Sequence, residues 1–243
     1  MSLTEESVEY HDGDVELRGF LVSDDHAGER PGMLVVHGGA GLDDHAKGRA
    51  RQLAQLGLVA FACDMYGRRV IGDRDRVMAT VTDLIGDRDK LCQRALTGIN
   101  VLASDPRVNE NIGAVGYCFG GRTVLELARS GTDLAGVTSV HGSLETANPA
   151  RPGEVKAKIL VCHGAIDPHV PTKQVTGFID EMNAARTDYQ LIVYGGAMHG
   201  FTHDTSPQTP GVAYHAASDK RSFLAIKAFI AEIFGTEASA PAQ

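Results

Sequence analysis

The chain has 243 residues, 43% of them hydrophobic and 22% charged, which fits one globular α/β domain with a sizeable core. A formal net charge of -8 with no long basic run argues against a nucleic-acid surface, and no apolar stretch approaches the length of a membrane span. The cysteines, Cys63, Cys92, Cys118 and Cys162, show no C-x-x-C spacing, so neither a zinc knuckle nor a disulfide framework is expected. The polar, acidic segment Met1–His11 does not read as a secretory leader, and a reducing, cytoplasmic setting follows as the expectation.

Val8–His11 and Val15–Val22 are short, partly alternating segments around Asp12-Gly13-Asp14, which predicts an antiparallel hairpin at a sheet edge. Met33–Val36 is an apolar run suited to a buried parallel strand, and it ends in the turn His37-Gly38-Gly39-Ala40-Gly41. Asp43 or Asp44 then caps a helix bearing Ala50, Leu53, Ala54 and Leu56, which Gly57 ends. Leu58–Cys63 is a second buried strand, and the loop Asp64–Asp75 carries Tyr66, Arg68 and Arg69. A helical stretch broken near Gly86 follows and stops at Asp105-Pro106. Asn111–Val115 reads as a strand and Gly121–Arg129 as a helix. Strands are expected over Ala135–Val140, Lys158–Cys162 and Tyr189–Tyr194, with helices over Val170–Ala185 and Val212–Phe234 and a frayed tail from 236 to 243. This alternation predicts a single domain over 1–243, built on a mostly parallel, doubly wound sheet with an antiparallel N-terminal edge hairpin. In such a sheet the ligand site lies outside the carboxyl ends of the strands. There is no G-x-G-x-x-G with a following acidic residue and no Walker lysine loop, which disfavours a nucleotide.

The strand ending at Val115 meets its helix through Gly116-Tyr117-Cys118-Phe119-Gly120, the nucleophile-elbow pattern with cysteine in place of serine. A thiol held there sits at a helix N-terminus, where the dipole favours the thiolate. Asp167 and His199 follow in the chain, each after an expected strand, giving the order nucleophile, acid, base. A thiol needs a histidine to take its proton, and the histidine needs a carboxylate to fix its tautomer. The attacked carbonyl needs donors for its developing oxyanion. The backbone N–H of Phe119 is one candidate, and that of Gly39, in the turn after Met33–Val36, is the other.

The chain resembles the dienelactone hydrolase family of the α/β-hydrolase fold over nearly its whole length. The matching residues are Gly116–Gly121, Asp167 with Val170-Pro171, Gly196-Ala197-Met198-His199-Gly200-Phe201, and Asp64-Met65-Tyr66-Gly67. The resemblance implies hydrolysis of ester, thioester or lactone bonds through a cysteine acyl-enzyme, without metal or cofactor, on a small-molecule substrate, in a monomer or homodimer. Two positions depart from the family. Its glutamate in the turn after the strand is replaced within Gly38-Gly39-Ala40-Gly41, and His203 stands where an arginine binds the substrate carboxylate. His141 stands where a pocket tyrosine is common, so Tyr66, His141 and His203 are the expected pocket residues, with Arg68, Arg69 and Arg88 as other carboxylate partners. An unshifted His203 would titrate between about pH 6 and 8, so anionic lactones should lose ground to neutral esters over that range. The alternative reading is a non-catalytic or redox-sensing protein of the same fold that uses Cys118 as a reactive thiol. A metal site at Cys162 and His163 lacks ligand spacing.

Overall fold

A computed structural model of the chain describes residues 2–26, 28–70, 72–204 and 209–235. In chain order the strands are β1 (Leu3–Asp12), β2 (Val15–Asp24), β3 (Arg30–Val36), β4 (Val59–Cys63), β5 (Val108–Tyr117), β6 (Gly136–Val140), β7 (Lys158–Gly164) and β8 (Tyr189–Tyr194). The helices are α1 (Asp44–Ala54), α2 (Arg74–Gly86), α3 (Arg88–Ala103), α4 (Phe119–Arg129), α5 (Thr172–Ala185) and α6 (Ala216–Phe234). The strands form one eight-stranded sheet in the order β1-β2-β4-β3-β5-β6-β7-β8. β1 pairs with β2 and β2 with β4 antiparallel, and every pairing from β4 through β8 is parallel.

The central strands are apolar throughout because both faces are covered. Along β3, Leu34 and Val36 pack with residues of α3 and α4 such as Leu91, Leu102 and Leu127, whereas Met33 and Val35 pack with Ala50, Leu53 and Phe229 of α1 and α6. Chain progression across the sheet reverses at β3: β4 lies on one side of it and β5 on the other. α1 leaves β3 toward one face and α4 leaves β5 toward the opposite one, so the carboxyl ends of β3 and β5 form the topological switch point of the sheet, where ligands of such folds bind.

The expected hairpin is present, longer at both ends, and it is anchored well beyond its own ladder. The Tyr10 hydroxyl donates to the Asp64 carbonyl at 2.9 Å and accepts from the Asp64 N–H at 2.8 Å. Asp12 accepts from Arg94 Nε at 2.5 Å, and the same guanidinium donates to the Met65 carbonyl at 2.9 Å. The loop after β4 is thereby fastened to the sheet margin.

Two boundaries move. The final helix begins at Ala216, with His215 as its cap, not at Val212. Val212 instead forms isolated bridges with His199 and Thr209, so its apolar side chain belongs to the histidine loop. β5 reaches back to Val108 because Arg30 of β3 pairs there across a bulge. The expected tail from 236 to 243 lies outside the described residues. Among the described residues, no helix is long and apolar enough to cross a membrane.

Candidate active site

Cys118 lies between β5 and α4 with φ 54 and ψ -112, a strained conformation for a residue bearing a Cβ. Its neighbours show why the turn requires glycine. A Cβ on Gly116 would lie 2.0 Å from the Gly120 carbonyl oxygen, and one on Gly120 would lie 2.2 Å from the Val36 carbonyl oxygen. The strain is held by hydrogen bonds: the Cys118 N–H donates to the Val140 carbonyl at 3.0 Å and to His141 Nδ1 at 3.1 Å, and the Gly120 N–H donates to the His37 carbonyl at 3.1 Å.

Three strand ends bring Cys118, His199 and Asp167 together. His199 Nε2 lies 3.0 Å from Cys118 Sγ, and His199 Nδ1 lies 2.9 Å from Asp167 Oδ2. Asp167 Oδ1 accepts from the N–H groups of His169 and Val170 at 2.8 and 3.1 Å, so the carboxylate is fixed on both oxygens. Burial alone would raise the Asp167 pKa, but its bond to His199 and these two N–H groups hold it low. Burial would also raise the Cys118 thiol. The hydrogen bond and charge of His199, with the backbone N–H groups of Gly39 and Phe119 that face the sulfur, outweigh it and lower the thiol. Burial opposes the charge on His199, yet Asp167 and Cys118 together push it up to about 10.

Both shifts favour a thiolate–imidazolium pair over the neutral thiol and imidazole. It is lost on acidification, when the sulfur takes a proton at its lowered pKa, and lost near pH 10, when His199 gives its proton up. The ultraviolet thiolate absorbance, measured against a Cys118→Ser control, should have a midpoint below the value of about 8.5 for a free thiol. A midpoint at or above that value would remove the pair.

The expected pocket residues separate on inspection. Tyr66 is only 2% exposed, with its hydroxyl 3.3 Å from the carbonyl oxygens of both Gly38 and Gly39, so it backs the turn rather than lining an opening. His141 is 1% exposed and is likewise a support. Because His141 Nδ1 accepts the Cys118 N–H, its proton sits on Nε2, which donates to the Thr202 hydroxyl at 2.9 Å. That hydroxyl then donates to His45 Nε2 at 3.1 Å, which also accepts from Arg49 Nε at 3.3 Å. Arg49 is anchored on the Thr202 carbonyl and on Asp219. This relay of neutral histidines ties the elbow to the histidine loop. Burial, reinforced by the neighbouring His199, His203 and His45, keeps His141 well below the ordinary histidine range.

His203 is half-buried and stacks on His45 with centroids 3.6 Å apart. A Cβ on Gly38 would lie 3.5 Å from His203 Nε2 and 3.7 Å from Cys118 Cβ, so His203 flanks the thiol. The unshifted value does not apply to it, because burial lowers its pKa and moves its titration to lower pH. Arg68, Arg69 and Arg88 are paired with Glu9, Glu16 and Glu126. Cys162 faces the Tyr194 hydroxyl at 3.7 Å in the core, and His163 is buried with Nδ1 lacking a hydrogen-bond partner. Thr202, His45 and Arg49 escape sequence reasoning because the partners of this relay lie as far as 157 residues apart.

A family model described as the dienelactone hydrolase family matches residues 17–234. Among solved structures, the dienelactone hydrolase-like promiscuous phosphotriesterase P91 from metagenomic libraries is 36% identical with a TM-score of 0.90, covering 96% of this chain and all (100%) of that one. A structure named m3DLH is 35% identical with a TM-score of 0.88, covering 96% and 99% of the two chains. A Yersinia pestis protein provisionally named carboxymethylenebutenolidase is 27% identical over 216 residues, 84% of this chain and 79% of that protein. With a cysteine elbow at the sheet's switch point and a family match spanning β2 to α6, the chain belongs to the dienelactone hydrolase family, with the α/β-hydrolase fold.

Proposed function

We propose that the chain hydrolyses ester, thioester or lactone bonds of small molecules, with Cys118 as nucleophile, His199 as acid and base, and Asp167 as the group that orients His199. The observation that carries this reading is the continuous line Asp167–His199–Cys118, at 2.9 and 3.0 Å, beside two backbone N–H groups aimed at the sulfur. The Cys118 thiolate attacks the carbonyl carbon, and the oxygen takes up the negative charge between the N–H groups of Gly39 and Phe119. Collapse breaks the bond to the leaving group, which takes the proton from His199, and a thioester on Cys118 remains. Water attacks that thioester, His199 takes its proton, and the thiolate departs.

The test is an ester panel that includes p-nitrophenyl acetate, an unsaturated lactone and a neutral phosphotriester, the last because of the activity named for the 36% identical structure. The protein should turn over at least one carboxylic ester and, under rapid quench, carry the acyl mass on Cys118. Stoichiometric peroxide oxidation of Cys118 without turnover on any substrate would favour the thiol-sensor reading instead.

Substrate charge follows from the groups beside the thiol. Burial lowers the pKa of His203 and holds that of His141 well below the ordinary histidine range, which favours the neutral rings, and the arginines Arg68, Arg69 and Arg88 are paired to carboxylates. A neutral imidazole offers one donor and no net charge, whereas arginine grips a carboxylate with two parallel bonds. Neutral esters should therefore be favoured over carboxylate-bearing lactones throughout the range from about pH 6 to 8. His203→Arg should raise kcat/KM for the anionic lactone by about ten-fold, the worth of one charge-assisted contact. Steady-state kinetics on one anionic and one neutral substrate checks this. A wild-type preference for the anion, unchanged by His203→Arg, would remove His203 as the selectivity position.

A further inference from the structure

The Gly38–Gly39 peptide is a hinge by composition. Neither residue carries a side chain, and a Cβ at Gly39 would meet nothing within 4 Å, so no side chain of either residue holds this peptide plane in place. The plane nevertheless has a job with one correct orientation, since its N–H, that of Gly39, faces the Cys118 sulfur. In a trans peptide the carbonyl and the N–H point in opposite directions, and no cis bond occurs among the described residues. Whatever grips the Gly38 carbonyl therefore aims the Gly39 N–H.

Three donors grip it. His37 Nδ1 lies 2.7 Å from the Gly38 oxygen, the Gly41 N–H 3.2 Å and the Tyr66 hydroxyl 3.3 Å, its single proton shared with the Gly39 oxygen at the same distance. The tautomer of His37 is forced: the Met65 N–H donates to Nε2 at 3.1 Å, so the ring proton is on Nδ1 and points at the carbonyl. Both rings are themselves immobilised. His37 is fully buried and stacks on Phe119, the residue supplying the other N–H, while Tyr66 packs edge-on to His37 with centroids 4.6 Å apart. The Tyr66 backbone is fixed by its N–H bond to Asp64 Oδ1 at 2.9 Å.

We propose that His37 and Tyr66 are positioning residues of the reaction: by holding the Gly38 carbonyl they prevent the diglycine peptide from flipping and keep the Gly39 N–H directed at the oxyanion site. The proposal rests on the cysteine-hydrolase reading above and assigns Tyr66 to the oxyanion turn rather than to substrate contact.

The test uses the full chain and three variants, Tyr66→Phe, His37→Asn and His37→Gln, each read by p-nitrophenyl acetate kinetics and by titration of the Cys118 thiolate absorbance. Tyr66→Phe deletes one oxygen and preserves the ring packing. Two donors remain on the carbonyl, so kcat should fall about ten-fold, less than the 10²–10³ of losing an oxyanion donor outright, with KM within about two-fold. The thiolate midpoint should rise, because the same N–H supports the resting sulfur. Asparagine at 37 can place an amide N–H where Nδ1 was, whereas glutamine reaches only the position of Nε2. His37→Asn should therefore keep more kcat and a lower thiolate midpoint than His37→Gln. A role in packing alone predicts no such ordering. Wild-type kcat and midpoint in Tyr66→Phe, or equal behaviour of the two His37 variants, would overturn the proposal. If the wild-type protein turns over no ester, the hydrolase reading fails while the thiolate midpoints still decide whether these side chains aim the Gly39 N–H.

Discussion

Cys118→Ala and His199→Ala are each expected to lower kcat/KM for an activated ester by about 10³-fold or more, and the double variant should fall to the same floor as the singles. Groups that act in one proton-transfer and attack sequence are not additive, because losing either stops the same step. The residual rate would come from the N–H groups of Gly39 and Phe119, which remain. Stability should move little. Cys118 is half-buried, its backbone strain at φ 54 persists with alanine, and removing Sγ leaves His199 still bonded to Asp167. The measurement is steady-state kinetics together with thermal unfolding, with a melting shift of no more than about 4 °C expected for a change near 1 kcal/mol. Ester hydrolysis by Cys118→Ala at close to the wild-type rate would sink the mechanism.

Gly120→Ala should do the reverse, removing activity by removing the fold around the elbow. The added Cβ would lie 2.2 Å from the Val36 carbonyl oxygen and 2.7 Å from that of His37. Both obstacles are backbone, one of them the last residue of β3, so no rotamer change relieves them. The loss should reach at least about 3 kcal/mol, at the upper end of overpacking costs and a large part of the 5–15 kcal/mol typical of a domain. Gly48→Ala in α1 is the matched control: its Cβ would meet nothing within 4 Å, and helix propensity predicts a gain of about 0.8–1 kcal/mol. Urea unfolding of the two variants should therefore shift in opposite directions. A wild-type midpoint for Gly120→Ala would mean that β3 and α4 can separate without cost.

The order of elements was legible because alternating apolar runs and their caps are local. Tyr189–Tyr194 is a strand with the ends its sequence suggests, and Asp43 caps α1 through its bond to the Ala46 N–H. Cys118, Asp167 and His199 could be singled out because each follows a strand, and strand ends of a parallel sheet converge. Side-chain direction at those ends was not legible. His141 and Tyr66 sit beside the site in sequence logic, yet both turn inward to hydrogen bonds whose partners, Thr202 and Gly38, lie 61 and 28 residues away. The start of α6 was misplaced for a related reason: the apolar Val212 fits a helical pattern but is used to pair with His199. Burial also lowers the pKa of His203, and a sequence alone offers only the exposed value.

The N-terminal hairpin has a consequence for judging relatives of this chain. It reads as trim at the margin of the sheet, and the family match begins at residue 17, beyond Tyr10 and Asp12. Yet Tyr10 clasps the main chain of Asp64, and Asp64 in turn seats Tyr66. A homologous gene whose start codon is assigned beyond the counterpart of β1 would still encode the counterparts of Cys118, Asp167 and His199 and pass a motif search. Its product would lack the Tyr10 clasp on the loop that seats Tyr66, and any loss of function would be blamed on side chains that are all present when the fault lay in gene finding.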